Sequence, residues 1–242
     1  MMPAALATAF SAAVSAKESA VIPEIEMIDV KGGTFIMGHD ESEAEHLFET
    51  PKHEVALSDF RIGKYEVTQE LWEAVMGDNP SIFKGDNLPV ENVSWYDIQA
   101  FIKKLNKLTG KKYRLPTEAE WEFVARGGSL SEGYVFIGGN EIDKTAWYSH
   151  NSDKHTHQGG LLNSNELGIY DMGGNISEWV SDWYGHYSEK SQVNPKGAKK
   201  SDIGKIFRGG SYCTLPEYNK PGYRFVSNPN FKCSYIGFRL AE

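Results

Sequence analysis

Cysteine is scarce in this chain of 242 residues, which contains only Cys213 and Cys233. Two cysteines are too few for a disulfide framework, and they do not indicate a redox compartment. Positive charge is also limited, because 25 Lys and Arg accompany 33 Asp and Glu to give a net charge of -8. Duplex nucleic acid and anionic membranes require a basic face, so neither is expected as the main partner. No run of about eighteen apolar residues occurs, so no membrane-spanning segment is predicted.

The rest of the composition is typical of one globular domain, with 40% hydrophobic and 24% charged residues. We predict a single domain over residues 25–242, since no linker divides the chain. Residues 1–24 are predicted to be a flexible tail or the remnant of a leader. Residues 4–16 are small and mildly apolar, but the segment lacks the basic start and strongly apolar centre of a complete signal peptide. A disordered tail and a trimmed export or lipoprotein leader both stay open.

Capping residues and apolar periodicity predict three helices. The first runs over 68–76 and ends at a glycine, which tolerates the left-handed C-terminal position. The second runs over 94–110, where a serine cap is followed three residues later by Asp97. The third begins at Thr117, and Glu120 completes its capping box before the helix ends at Gly127.

Strands are predicted to be short and separated by glycine-rich turns. Alternating or apolar runs bounded by turn formers place them at 35–38, 53–57, 60–65, 206–208 and 237–240. No strand-helix-strand repeat appears, so the pattern favours an α+β class with short antiparallel sheets, two to three helices and long ordered loops.

A series of ordered motifs runs along the chain: GTFIMG at 33–38, KYEVT at 64–68, PVENVSW at 89–95, YRLPTEAEWE at 113–122, LGIYDMGGN at 167–175, RGGSY at 208–212 and IGFRL at 236–240. In this order they resemble the formylglycine-generating-enzyme, or sulfatase-modifying-factor, family. The resemblance covers about residues 27–240 and implies an elaborated C-type lectin fold. It also allows the catalytic residues of the family to be compared with this sequence.

Enzymes of that family carry two cysteines five residues apart, just after the Gly-Gly-Ser motif, which bind copper(I) and engage the substrate thiol. In this sequence the matching positions are Thr214 and Asn219. A hydroxyl and an amide do not supply the soft thiolate ligands that copper(I) needs. We therefore predict that the protein is not an enzyme of this type and has no catalytic cofactor. No nucleophile elbow, phosphate-binding loop or zinc-protease helix motif offers another chemistry.

Histidines provide little evidence for a metal site. His155 and His157 lie in a polar, glycine-containing stretch, which favours a solvated loop, with a metal site as the alternative. His39, His46 and His53 accompany several glutamates, which is typical of a charged surface loop.

A second possible metal site is formed by oxygen donors. Asp171, Asn175 and Glu178 lie close together across a glycine turn, and hard oxygen ligands suit calcium. Family members often hold calcium at the matching segment. The alternative is that these side chains satisfy buried loop amides. Either role would be structural.

The segment between the last two motifs is unusual. It is rich in apolar and aromatic residues, yet it lacks the alternation of a buried strand. The chain resembles the treponemal-type variable proteins of diversity-generating retroelements, in which mutagenesis of asparagine-type codons yields any residue except Met, Gln, Lys, Glu and Trp. In the window 212–235 only Glu217, Lys220 and Lys232 are of the excluded types, and each is interpreted as a fixed spacer.

We therefore predict a non-enzymatic, receptor-like protein with a variable binding region over 208–240. Aromatic side chains supply rigid contact area at low entropic cost. The predicted contact residues are Tyr212, Cys213, Thr214, Leu215, Tyr223, Phe225, Ser227, Phe231, Cys233, Ser234 and Tyr235. The expected partner is a protein or cell-surface ligand, and the expected form is an exported monomer at a bacterial surface, lipid-anchored or periplasmic. The alternative is a family enzyme or enzyme accessory of unknown chemistry.

Overall fold

The structure is a computed structural model that describes residues 21–40 and 47–242. Most of the tail or leader predicted over residues 1–24 lies outside this range, as does His46. His53 departs from the expected charged surface loop, because it is buried and its ring lies 4.9 Å from that of Tyr187. Within the described ranges, no helix has the length and apolarity needed to cross a bilayer.

Twelve strands and α-helices form the described fold, and short 3₁₀ turns occur between them. In chain order they are β1 (Met27–Val30), β2 (Thr34–Met37), β3 (His53–Ala56), β4 (Phe60–Gly63), α1 (Gln69–Met76), α2 (Trp95–Thr109), α3 (Glu118–Ala125), β5 (Ser177–Trp183), β6 (Gln192–Val193), β7 (Lys205–Arg208), β8 (Phe225–Ser227) and β9 (Ile236–Gly237).

The three helices begin where their caps predict. Thr68 accepts a hydrogen bond from the backbone of α1, and Ser94 and Thr117 each form a complete capping box. Gly77 and Gly110 end α1 and α2 in the left-handed conformation. Local side-chain to backbone bonds satisfy the first amides of each helix, so these starts are encoded locally.

The strands form three small sheets. β1 pairs with β4, β2 and β6 flank β3, and the largest sheet has the order β8-β7-β5-β9. Two pairings, β3 with β6 and β5 with β9, are parallel, so the sheets are mixed rather than purely antiparallel as expected. The sequence prediction also missed β5, one of the two inner strands of the largest sheet.

The core has two parts. One packs α3 against the sheets, around Trp121 and Phe123. The other joins α1, α2 and the end of the chain, where Phe238 is fully buried and its ring lies 5.4 Å from that of Phe101 and 6.2 Å from that of Trp72. Because β7 and β9 are anchored in this packing, the segment between them is held at both ends.

Candidate contact surface

The buried Arg208 holds the start of the C-terminal segment. Arg208 forms an ion pair with Glu122 and donates to the carbonyls of Pro221, at 2.8 Å, and Gly222, at 3.0 Å. Burial opposes ionisation of Glu122, but the neighbouring Arg126 and Arg208 hold its pKa at about 2. The guanidinium of Arg208 thus ties the far side of the loop to the end of β7.

The two glycines after Arg208 have positive φ angles, which favour glycine over other residues. Gly209 and Gly210 have φ values of 98° and 68°, which L side chains rarely adopt. A Cβ on Gly209 would lie 2.6 Å from the carbonyl oxygen of Met172. The chain therefore turns sharply here and enters the loop that carries Tyr212 and Cys213.

Thr214 and Asn219, the positions that the family resemblance matches to the enzymes' cysteines, form hydrogen bonds within the loop. Thr214 Oγ1 accepts from the Ser211 amide at 2.8 Å and donates to the Ser211 carbonyl at 3.0 Å. The fully buried Asn219 donates to the Leu215 carbonyl at 2.9 Å. Asn219 Oδ1 and Thr214 Oγ1 lie 2.5 and 3.0 Å from the point that a Cβ on Gly210 would occupy. The two side chains therefore meet beside Gly210, where they fix the loop and present no thiol.

Nine of the eleven predicted contact residues have solvent access. Leu215 and Phe231 are 46% and 38% exposed, and Cys213 is also exposed. Six more are partly exposed, namely Thr214, Phe225, Ser227, Cys233, Ser234 and Tyr235.

Tyr212 and Tyr223 are corrections to the expected exposed surface, because each is only 7% exposed. The hydroxyl of Tyr212 lies 2.9 Å from Ser234 Oγ. The ring of Tyr223 lies 4.7 Å from both Tyr218 and Phe225. Both tyrosines are amphipathic rings that pack against neighbouring aromatic side chains.

The surface continues into a row of rings that the sequence did not reveal. Phe83 lies 5.4 Å from the Tyr212 ring and 6.4 Å from that of His155. His155 lies 4.4 Å from His157, which stacks on Trp147 at 3.9 Å. Burial lowers the pKa of His157. His155 and His157 therefore form an aromatic wall beside the loop, together with Phe83, Tyr212 and Trp147.

Glu91 is fully buried and is bonded to the backbone of Phe83, a residue of this wall. Its Oε1 accepts from the amides of Ile82 and Phe83, while Oε2 has no hydrogen-bond partner among the described residues. Burial raises the pKa of Glu91 to about 7, and the two amide donors oppose the shift. With a pKa of about 7, the carboxyl is protonated in about half of the molecules near neutral pH.

The residues predicted to hold calcium are occupied by protein donors. Both oxygens of Glu178 accept from Arg239 at 2.7 to 2.9 Å. Asn175 Oδ1 accepts from the His157 amide at 2.9 Å, and Asp171 Oδ2 from the Gly160 amide at 2.7 Å. No group of three or more His, Cys, Asp or Glu suited to a metal is found in the described part of the chain. Their contacts match the alternative structural role, in which these side chains satisfy buried loop amides.

The fold and the loop together define the class of this protein. It is an α+β protein with the C-type lectin fold of formylglycine-generating enzymes. A model of the Sulfatase-modifying factor enzyme 1-like domain matches residues 12–242. The chain belongs to this family.

Solved structures share the fold over most of the chain. Treponema denticola variable protein 1 superposes with a TM-score of 0.81 at 32% identity, over 89% of this chain and 94% of that one. PvdO from Pseudomonas aeruginosa has a TM-score of 0.78 at 28% identity, over 93% of this chain and 99% of that one. The predicted fold is thereby confirmed.

Curated relatives are longer. The Chaperone protein LppX of Paenibacillus barcinonensis is 39% identical over 182 residues, which cover 54% of this chain and 65% of that protein. The formylglycine-generating enzyme of Streptomyces coelicolor is 31% identical over 190 residues, which cover 71% of this chain and 58% of that enzyme. The chain spans less than two thirds of the length of these relatives.

Proposed function

We propose that this protein is a non-enzymatic binding protein whose C-terminal loops form a diversified contact surface on a rigid scaffold. The observation that carries the proposal is the contrast within one segment. Arg208 and Phe238 at its ends are fully buried, whereas Cys213, Leu215 and Phe231 between them are exposed. Binding residues are commonly carried on loops that a rigid framework positions.

The chemistry of the loop supports binding over catalysis. Thr214 and Asn219 supply no thiolate, and hydrogen bonds of Thr214 Oγ1 and Asn219 Nδ2 hold the loop in shape. Copper(I) requires soft ligands, so oxygen-dependent cysteine oxidation has no metal site at these positions. The likeness to a protein named a variable protein also supports a surface whose sequence changes on a constant fold.

An enzyme or an enzyme accessory is the second candidate, and the relatives named formylglycine-generating enzyme favour it. The two candidates differ in a simple assay. A binding protein should leave a cysteine-containing sulfatase peptide unchanged under aerobic, reducing conditions with copper(I). Conversion of the peptide by the unmodified chain would establish the enzyme.

The binding proposal is tested by selection from two display libraries. In the first, Cys213, Leu215, Ser227, Phe231 and Ser234 are randomised and binders to one purified globular protein are selected. In the matched library, five exposed apolar residues elsewhere are randomised, namely Ile36, Leu108, Leu130, Leu161 and Val193. We expect binders from the first library only. Equal yields from both libraries would contradict a dedicated surface.

We further propose that the natural partner is a protein or cell-surface ligand reached from outside the cell. A diversified surface is useful where targets vary, which fits a location at the bacterial surface. Protease treatment of intact source cells tests this location, because a displayed protein should be cleaved while a cytoplasmic marker survives. Survival of both would contradict it.

A further inference from the structure

We propose that Cys213 and Cys233 are a reversible redox pair, and that a disulfide between them closes the contact surface into a covalent loop. Both thiols are free in the structure. The segment between them includes the 3₁₀ turn Pro216–Asn219 and β8, so the bond would span most of the candidate surface. This inference goes beyond the proposed binding function and does not depend on any ligand.

The backbone brings the two cysteine segments to the same place. The Tyr212 amide donates to the Asn175 carbonyl at 2.8 Å, and the Ser177 amide donates to the Tyr235 carbonyl at 2.8 Å. These two bonds anchor both segments to the same short stretch, residues 175–177. The Tyr212 hydroxyl and Ser234 Oγ, at 2.9 Å, join them directly. Each cysteine is adjacent in sequence to one partner of that hydrogen bond.

The two thiols also share one local environment. Cys213 Sγ lies 3.4 Å from Ser211 Oγ and is open to solvent, whereas Cys233 is half-buried. Burial raises the pKa of Cys233, and the nearby Cys213 and Glu91 add to the shift. Burial raises the pKa of Tyr235 to about 12, and both thiols contribute there as well. Cys213 is thus the thiol that an oxidant meets first.

The reaction needs an external oxidant, and a small disulfide such as oxidised glutathione supplies it. The Cys213 thiolate attacks one glutathione sulfur, forms a mixed disulfide and releases the first glutathione thiolate. The Cys233 thiolate then attacks Cys213 Sγ, breaks the bond to glutathione and releases the second. Two protein thiols are oxidised, one glutathione disulfide is reduced, and the two protons pass to the released thiolates.

The test is intact-mass and peptide analysis of the full chain after incubation with oxidised glutathione. We expect a mass loss of two hydrogens, a cross-linked peptide pair containing Cys213 and Cys233, and full reversal by dithiothreitol. Amides in 214–232 should exchange hydrogen more slowly in the oxidised protein, because a cross-link restricts the opening of the loop.

Two variants supply the controls. Cys213→Ser should remain unlinked, with Cys233 still open to alkylation after unfolding. Cys213→Ser combined with Leu215→Cys places an exposed thiol two residues away, and we expect it to form a glutathione adduct without closing. An equally fast cross-link from position 215 would contradict the assigned geometry. Retention of both thiols in the unmodified chain, a stable glutathione adduct, or dimers linked through Cys213 would overturn the proposal.

Discussion

Replacing Phe238 by alanine should destabilise the protein strongly, because this ring is fully buried against Trp72 and Phe101. Truncation of a buried Phe to Ala typically costs about 3 to 5 kcal/mol, which combines lost transfer energy with a cavity that the core cannot fill. For a domain of this size, about 1 kcal/mol corresponds to a change of about 2 to 4 °C in Tm. We therefore expect Tm to fall by about 6 to 20 °C.

Phe231→Ala is the matched control, since it removes the same atoms from a ring that is 38% exposed. Its cost should be about 1 kcal/mol or less, as is usual for surface positions. Calorimetry or circular dichroism melts of the two variants, side by side, measure the difference. If Phe231→Ala unfolds the protein while Phe238→Ala does not, the division into a buried scaffold and an exposed contact surface is wrong.

Three further predictions concern charge and metal. Arg239→Met should cost about 3 to 5 kcal/mol by denaturant melts, because it leaves Glu178 buried without its partner, and a second change, Glu178→Met, should recover part of that loss. Glu91 has a pKa raised from 4.5 to about 7 in the folded state, so it holds its proton more tightly than the unfolded chain and its contribution to stability is lost as pH rises through this interval. Melts at several pH values should therefore be less pH-dependent in Glu91→Gln than in the unmodified chain, and an unchanged slope would refute this. Calcium should leave Tm unchanged, because Glu178 and Asp171 already accept protein hydrogen bonds, and a rise in Tm with calcium concentration would show that a site exists.

The features that the sequence predicts well are local ones. The starts of α1, α2 and α3 depend on caps within three residues of each helix, so a single sequence reveals them. The two motifs at 208–212 and 236–240, which bracket the contact surface, are also recognisable from the sequence alone. Their position at the ends of the contact surface follows from the pairing of β7 and β9 with β5.

The features that escaped prediction depend on contacts between distant residues. β5 was missed because Glu178, a charged residue inside it, suggests a loop until Arg239 is placed against it 61 residues away in sequence. Tyr212 was expected to be exposed because its partners, Phe83 and Ser234, are also remote. The aromatic wall that includes His155 could not be predicted from hydrophobic periodicity. Its residues lie on loops, which have no regular spacing of apolar side chains.

Sequencing the coding segment for residues 208–240, with its genomic neighbourhood, in many independent isolates tests the central claim most directly. A diversified contact surface predicts substitutions concentrated at exposed positions such as Leu215 and Phe231. It predicts constant codons for Arg208 and Phe238, and a near-copy of the segment beside a reverse transcriptase gene. An invariant segment, or substitutions spread evenly over framework and surface with no such copy, would contradict the account.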